Sequence, residues 1–503
     1  MEIIHALFSG FSDVLRIDNL FYCFVGVFVG TLIGVLPGIG PVGTMSLLFP
    51  FTNKVPALPA MIMLAGIYYG AMYGGSTTSI LVNIPGEAAS VVTCLDGYQM
   101  ARKGRAGPAL GMAAFGSFIA GTLGLIGLML LAPPLASIAL RFGPPEYFAL
   151  MCLGMTILIY LASGSIIRAL MMAFFGMILG CAGMDPESGS ARFVFGITDL
   201  LDGVGLAPMV MGLFGISEVL LNIEQAAEGR SILTTKIKGL LPNLRDWKQS
   251  ILPITRGSVL GFFLGILPGG GAVIASFASY AIEKKISRHP EKFGTGAIEG
   301  VAAPESANNS ATAGAFIPLL TLGIPPNVVM ALLLGALIIH GVVPGPRMIP
   351  ENPTIFWGLI ASMYVGNAML LALNLPLIGL WVQLLKVPYK VLFPLILLFC
   401  LIGAYSINNN TTDIAIMLIF GAMGYLMKKY KYEGAPMVLA FVLGPMFENS
   451  LRQSLLISDG SFLIFFTRPI AAVGMIITIL LLVSAVIPSV RRKKEVLPIE
   501  EET

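Results

Sequence analysis

The sequence predicts an all-α polytopic membrane protein built from two inverted-topology repeats with re-entrant helical hairpins and broken helices, about 10–12 transmembrane segments in all. Three observations predict it. The 503 residues are 56% hydrophobic and only 11% charged, where a soluble chain carries about 25% charged residues. A glycine-rich knot occurs twice, as Gly34-Val35-Leu36-Pro37-Gly38-Ile39-Gly40-Pro41 and as Gly265-Ile266-Leu267-Pro268-Gly269-Gly270-Gly271-Ala272, its two prolines 231 residues apart. Behind each knot further landmarks recur in the same order, while the basic loops around them change places.

The segments follow in order. Residues 1–18 are slightly acidic and carry no basic n-region or small-residue cleavage site, so no cleaved signal peptide is expected. An apolar run from Leu20 to Leu36 reaches the first knot and resumes from Val42 to Phe51. A proline with two or three glycines ends a helix and frees backbone N–H and C=O groups. Such backbone survives in a bilayer only where protein buries it or where it lines a wet cavity. Breaks are expected next at Gly74-Gly75-Ser76-Thr77-Thr78 and at Asn83-Ile84-Pro85-Gly86-Glu87, before the basic loop Arg102-Lys103-Arg105. Conventional spans then lead to Leu221, which closes a first half at 1–221.

Residues 222–256 are polar and mildly amphipathic and read as a cytoplasmic linker, with an interfacial helix as one form for it. The second half, 257–430, opens with arms of about 10 residues on each side of the second knot, too short to span and therefore re-entrant. At the first knot the longer leading arm leaves a broken spanning helix open as well. Residues 431–490 form C-terminal membrane segments, and 491–503 a tail whose Arg491-Arg492-Lys493-Lys494 places the C-terminus in the cytoplasm.

The landmarks pair at similar offsets. Gly74–Thr78 aligns with Asn308-Asn309-Ser310-Ala311-Thr312 at 234, and Ile84-Pro85 with Ile324-Pro325 at 240. In the first half the loop 52–59 has only Lys54 and the later one is basic; in the second half the loop 284–292 is basic and 341–353 has only Arg347. Lysine and arginine stay cytoplasmic, so equivalent loops lie on opposite faces.

Paired breaks in two halves point to a transporter's binding site. Free N–H groups at helix ends and in glycine runs favour anions, which makes Pro37, Gly38, Gly40, Ser76, Thr77, Thr78, Pro268, Gly269, Gly270, Gly271, Asn308, Asn309 and Ser310 the expected substrate contacts. Hydroxyls, amides and intramembrane carboxylates supply hard oxygens or a titrating group, so Thr78, Asn83, Glu87, Glu305, Asn309 and Thr312 are the expected ion-coupling residues, for Na or H. Glu87 and Glu305 carry the coupling charge or cap helices; the residues leave both readings open. Asp96, Asp185, Glu187, Asp199 and Asp202 are expected to be mostly solvated, Arg452 and Arg468 to snorkel or face partners, and His340 to be structural. Isolated glycines such as Gly121, Gly124 and Gly127 read as helix packing.

The five cysteines are scattered, with no CxxC and no neighbouring histidine, and read as apolar fillers. The sequence holds no P-loop and no HExxH, and only three histidines, which argues against an enzyme. No cofactor, no metal beyond Na and no nucleic-acid partner is expected.

At these motifs the chain resembles the large membrane subunit of the tripartite tricarboxylate transporter family, the TctA type. The matching stretches are Gly34–Pro41, Gly66–Thr78, Asn83–Glu87, Gly265–Gly271, Glu299–Asn309, Leu322–Pro325, His340-Gly341, Pro344–Pro346 and Leu443–Arg452, over about residues 18–470. Ile324-Pro325-Pro326 departs from the Ile-Pro-Gly that the first half keeps. The resemblance implies an ion-driven importer of carboxylates such as citrate in a bacterial-type inner membrane. It also implies a small membrane subunit and an extracytoplasmic solute-binding protein as partners. An elevator motion follows by analogy with other inverted hairpins. The alternative is a stand-alone secondary transporter or channel for another organic anion.

Overall fold

The computed structural model describes residues 2–36, 40–161, 165–185, 187–225, 239–269, 271–385 and 389–486. Pro37, Gly38 and Gly270 of the knots, residues 226–238 of the linker and the basic tail lie outside the described residues. Among those described, seven helices are long and apolar enough to cross a membrane: Ile17–Val35, Ala57–Val82, Ala106–Ala139, Leu206–Glu224, Leu244–Ile266, Pro353–Asn374 and Thr411–Lys429. Shorter apolar helices such as Ile166–Gly180 and Val328–Ile339 accompany them. The fold is that of a polytopic α-helical membrane protein.

The chain divides into two units, residues 1–140 with 204–430 and residues 141–203 with 431–503. In the first unit the helices that matter are α1 (Glu2–Val14), α2 (Ile17–Val35), α3 (Gly40–Thr52), α4 (Ala57–Val82) and α5 (Ala106–Ala139). After them come α6 (Leu244–Ile266), α7 (Gly271–Ile286), α8 (Glu299–Leu322), α9 (Val328–Ile339) and α10 (Pro353–Asn374). Helices α4 and α8 form the centre, buried continuously from Pro59 to Leu81 and from Gly300 to Thr321.

Each central helix is gripped by the helix that leads into a knot, and the grip is made the same way twice. On α2, Gly26, Gly30 and Gly34 lie against the backbone of Met63, Ile67 and Ala71 of α4; on α6, Gly257, Gly261 and Gly265 lie against Ala303, Ala307 and Ala311 of α8. A methyl group at any of the six would collide with the facing carbonyl. Without water to drive helices together in lipid, such close backbone approach supplies the packing energy. The glycines are 231 residues apart and their partners 240. The same register sets Gly74 over Thr31 and Gly34, and Gly314 over Phe262 and Gly265.

This register corrects the alignment of Gly74–Thr78 with Asn308–Thr312 at 234 residues. Ser76 corresponds to Phe316, and Asn308 to Tyr68. Nor are those two stretches breaks: α4 and α8 run through both as helix. Glycine and small polar residues weaken a helix in water, but here their hydroxyls and amides bond neighbouring groups and their small size admits the partner backbone. The breaks fall later, at Asn83 (φ 61°) and Gly323 (φ 73°), both left-handed. There the Gly323 N–H returns to the Leu319 carbonyl at 3.0 Å, the bond of an αL cap, and the Ile324 N–H reaches the Pro318 carbonyl at 3.1 Å. Beyond each break an extended residue follows at the same place, Glu87 (φ −145°) and Asn327 (φ −151°).

The arms of the second knot are also longer than expected, 23 residues for α6 and 16 for α7. Helix α6 starts at Leu244, inside the stretch read as linker. Asn243 caps it by accepting from the N–H groups of Arg245 and Asp246 at 2.9 Å each, and Asp246 accepts from the Asn243 N–H at 3.2 Å. That reciprocal box outweighs the mixed charge of the stretch.

In the second unit the helix Gly434–Ile457 packs on Ile166–Gly180, with Gly176 and Gly180 against the Met437 and Phe441 backbone. A two-stranded turn pairs Gly183 with Arg192 and Met184 with Ala191. An ion-pair network anchors it: Arg192 to Asp185 (2.5 Å) and Glu448 (2.9 Å), and Arg452 to Asp185 (3.1 Å), Glu187 (3.5 Å) and Glu448 (2.6 Å). Arg468 pairs with Glu146 at 3.2 Å. Asp185 is therefore buried rather than solvated. The Ser188 hydroxyl first, then Arg192, hold its carboxyl well below the usual carboxylate range.

Candidate substrate and ion site

The site is built where α4 and α8 meet. Glu305, on α8 and fully buried, accepts hydrogen bonds from three groups: the Ser76 hydroxyl of α4 at 2.5 Å, the Thr93 hydroxyl, and the Asn308 amide at 3.3 Å. A buried carboxylate is tolerated only when its lone pairs are satisfied, and these three donors do that. Asn309, one residue on, donates to the Ser117 hydroxyl of α5 (2.8 Å), to the Glu305 carbonyl (3.0 Å) and to Asn308 Oδ1 (2.7 Å). Ser76, Glu305, Asn308 and Asn309 are thus expected residues that the fold brings into one network.

Other expected residues lie apart from it. Thr78 donates to the Val35 carbonyl at 2.6 Å, satisfying the end of α2 just before the first knot. Thr312 donates to the Asn309 carbonyl at 2.6 Å. Asn83 is exposed at its helix end. Ser310 is buried, and its hydroxyl has no partner among the described residues. Glu87 is buried before the turn Ala88–Ser90, where the Ser90 hydroxyl donates to its carbonyl at 2.8 Å and its own Oε1 has no partner among the described residues.

The knots are held against the breaks. Gly269 (φ 109°) donates its N–H to the Pro326 carbonyl at 2.9 Å, so the proline that replaces the expected glycine supplies a direct tie from break to knot. In the first half Gly86 packs against Gly34 and Gly75. Pro268 lies in the turn, Gly40 (φ 63°) opens α3 and Gly271 opens α7.

Several residues of the site are not legible as such in the sequence. Thr93 and Asp96 lie on the irregular helical segment 91–98. Asp96 is fully buried, against the expectation that it is solvated. Its Oδ1 accepts from the N–H groups of Gly294 (2.9 Å), Gly296 (2.7 Å) and Ala297 (2.8 Å), and its Oδ2 from the Tyr280 hydroxyl (2.9 Å). The short segment therefore holds both the entry to α8 and, through Thr93, the carboxylate of Glu305. Tyr73, Ser117, Asn367 and Asn374 complete the polar surroundings. His340 is structural, its ring nitrogens facing the carbonyls of Ala336, Thr52 and Val55.

Central helices with interior polar networks, knot-ended helix pairs and a carboxylate buried between them are the features of a membrane permease. The chain belongs to the Tripartite tricarboxylate transporter TctA family, whose model matches residues 20–439. It is the large, multi-pass permease subunit of that transporter type, in the inner membrane, and the family implies association with further transporter components. Two proteins of Agrobacterium vitis are similar to it. One, described as an uncharacterized 52.8 kDa protein in the TAR-I ttuC' 3'region, is 50% identical over 502 residues and the whole of both chains. The other, from the TAR-II ttuC' 3'region, is 52% identical over 242 residues, all of that protein and 48% of this chain. No solved structure matches the chain.

Proposed function

We propose that this subunit carries di- and tricarboxylates such as citrate inward, driven by an ion gradient. An extracytoplasmic solute-binding protein delivers the substrate and a small membrane subunit accompanies the permease. The carrying observation is the doubled arrangement in which two knot-ended helix pairs clasp α4 and α8, the helices joined through Ser76 and Glu305. The N–H groups at the starts of α3 and α7, just past the knots, suit the carboxylates, and the carboxylate network suits the coupling ion. The two halves are read as inverted repeats, from the exchange of basic loops between them, and the knots as tips that move with the substrate in an elevator-type cycle.

The test is uptake of labelled citrate and other di- and tricarboxylates into cells expressing the chain with both partners. Uptake that vanishes when the ion gradient is collapsed supports the reading, and uptake indifferent to the gradient overturns ion coupling. Pro268→Leu and Gly269→Val are expected to abolish uptake while the protein still inserts; normal transport by both would reduce the knot to packing. Purified chain that transports alone in liposomes would favour the stand-alone alternative.

A further inference from the structure

A narrow pocket opens beside Glu305, lined by Tyr73, Ser76 and Thr77 of α4, Ser117 of α5 and Asn374 at the end of α10, with Leu110 on its apolar side. Its free space suits a single water-sized guest. What that guest must be follows from where the lining protons point.

Tyr73 donates its hydroxyl proton to Asn367 Oδ1 at 2.7 Å. That orientation of Asn367 is set by its Nδ2, which donates to the Phe118 carbonyl (2.9 Å) and the Thr122 hydroxyl (3.1 Å). Ser76 gives its proton to Glu305. Ser117 accepts from Asn309 at 2.8 Å and turns its own proton toward the Glu305 carbonyl at 3.4 Å. Asn374 donates through Nδ2 to the Leu370 carbonyl at 3.0 Å, which fixes Oδ1 as its other atom; that oxygen is buried and has no partner among the described residues, on a residue only 5% exposed. The protons of Tyr73, Ser76 and Ser117 are thus committed elsewhere, and apart from the Thr77 hydroxyl what remains for the pocket is oxygen lone pairs. An anion would meet acceptors there. A buried amide oxygen left without a partner costs about 1–3 kcal/mol, so the arrangement calls for an electron-poor guest.

We propose that this pocket is a Na+ site, with Asn374 Oδ1 and the oxygens of Tyr73, Ser76, Thr77 and Ser117 as its ligand set and Glu305, hydrogen-bonded to Ser76, as its countercharge. Neutral hard oxygens with one carboxylate in reach match a dehydrated monovalent cation, whereas divalent ions take several carboxylates or keep their water. The junction of the two halves is then a cation site, and the substrate anion is left to the knots. The role of this ion in coupling rests on the transport reading above; its binding does not.

The test is therefore a binding measurement. The purified full-length chain in detergent is melted across a NaCl series at fixed pH, with choline chloride holding ionic strength constant. A ligand that binds only the folded state raises the melting temperature with its concentration. The wild type is expected to rise with Na+ but not with choline. Asn374→Leu and Ser76→Ala are expected to move the Na+ midpoint upward tenfold or more, and Asn374→Asp, which keeps the oxygen, to hold or lower it. Equal stabilisation by choline, stabilisation that follows pH alone, or an unmoved midpoint in both Asn374→Leu and Ser76→Ala would overturn the proposal. Na+ binding without carboxylate uptake would instead sink the transport reading and leave the site standing.

Discussion

Ser76 and Glu305 lie 229 positions apart in the chain and share a 2.5 Å hydrogen bond where α4 meets α8. The bond joins the first half of the repeat to the second at a carboxylate closed off from solvent. A hydrogen bond to a charged group contributes about 1.5–3 kcal/mol, equivalent to roughly ten- to a hundredfold in a rate or equilibrium. Initial uptake rates, normalised to the amount of inserted protein, are expected to fall by about that much in Ser76→Ala and Thr93→Ala. Glu305→Gln, which keeps the shape and removes the charge, is expected to fall at least as far. Full uptake in Glu305→Gln would show that the network only supports the helices.

Asp96 is expected to behave as an anchor of α8. Asp96→Asn keeps an acceptor for the three backbone N–H groups but loses the charge and sets an amide donor against the Tyr280 hydroxyl. Charge-assisted bonds are about twice as strong as neutral ones, so thermal melting in detergent should report a loss of about 2–4 kcal/mol. A variant that melts like the wild type would mean that the loop 294–297 keeps its path without the carboxylate.

The glycine stripes predict paired effects. Gly30→Leu and Gly261→Leu place side chains where the Ile67 and Ala307 backbones lie, and overpacking costs about 1–3 kcal/mol or more. Both are expected to lower folded yield in size-exclusion profiles, to similar extents, because the two contacts are equivalent. Gly104, whose added Cβ meets no neighbour but whose φ is 76°, is a poorer control than Gly379, which has open space around it; Gly379→Ala is expected to be neutral.

The turn around Asp185 carries a pH dependence of definite sign. Its carboxyl is held below the usual range by Ser188 and then Arg192, so the folded state binds that proton less readily than the unfolded chain. The stability it contributes is complete above the unfolded value of about 3.9 and is lost as pH falls through the lower folded one. The difference in melting temperature between wild type and Asp185→Asn should hold steady from about pH 5 to pH 8 and narrow only in stronger acid. A difference that changes between pH 6 and 8 would assign the dependence to another group.

The membrane class and the doubled knot are legible from composition and spacing alone. So is the packing role of isolated glycines: Gly124 lies against Ser310 and Ala313, and Gly127 against Phe262. The break expected at Asn83–Glu87 is found, but Gly74–Thr78 and Asn308–Thr312 are misplaced as breaks, because they contain the residues that interrupt helices in water. Inside a bundle those residues let helices touch and bond across the contact, and the interruption moves to Asn83 and Gly323, where the chain turns left-handed. The start of α6 was hidden for a related reason: its mixed charges read as linker, while Asn243 and Asp246 write a cap.

The sequence by itself determined that this chain lives in a bilayer and that its glycine-rich knot is made twice. Those features are local, carried by apolar length, by proline and glycine, and by recurrence along the chain. The tertiary structure decided which polar groups meet. Thr93 finds Glu305 across 212 positions, and Asp96 finds Gly296 across 200. Such pairings follow from the register of two glycine stripes against two central helices. Shifting either helix by one residue would turn its polar side chains about 100° away, so the contacts exist only once both halves have packed.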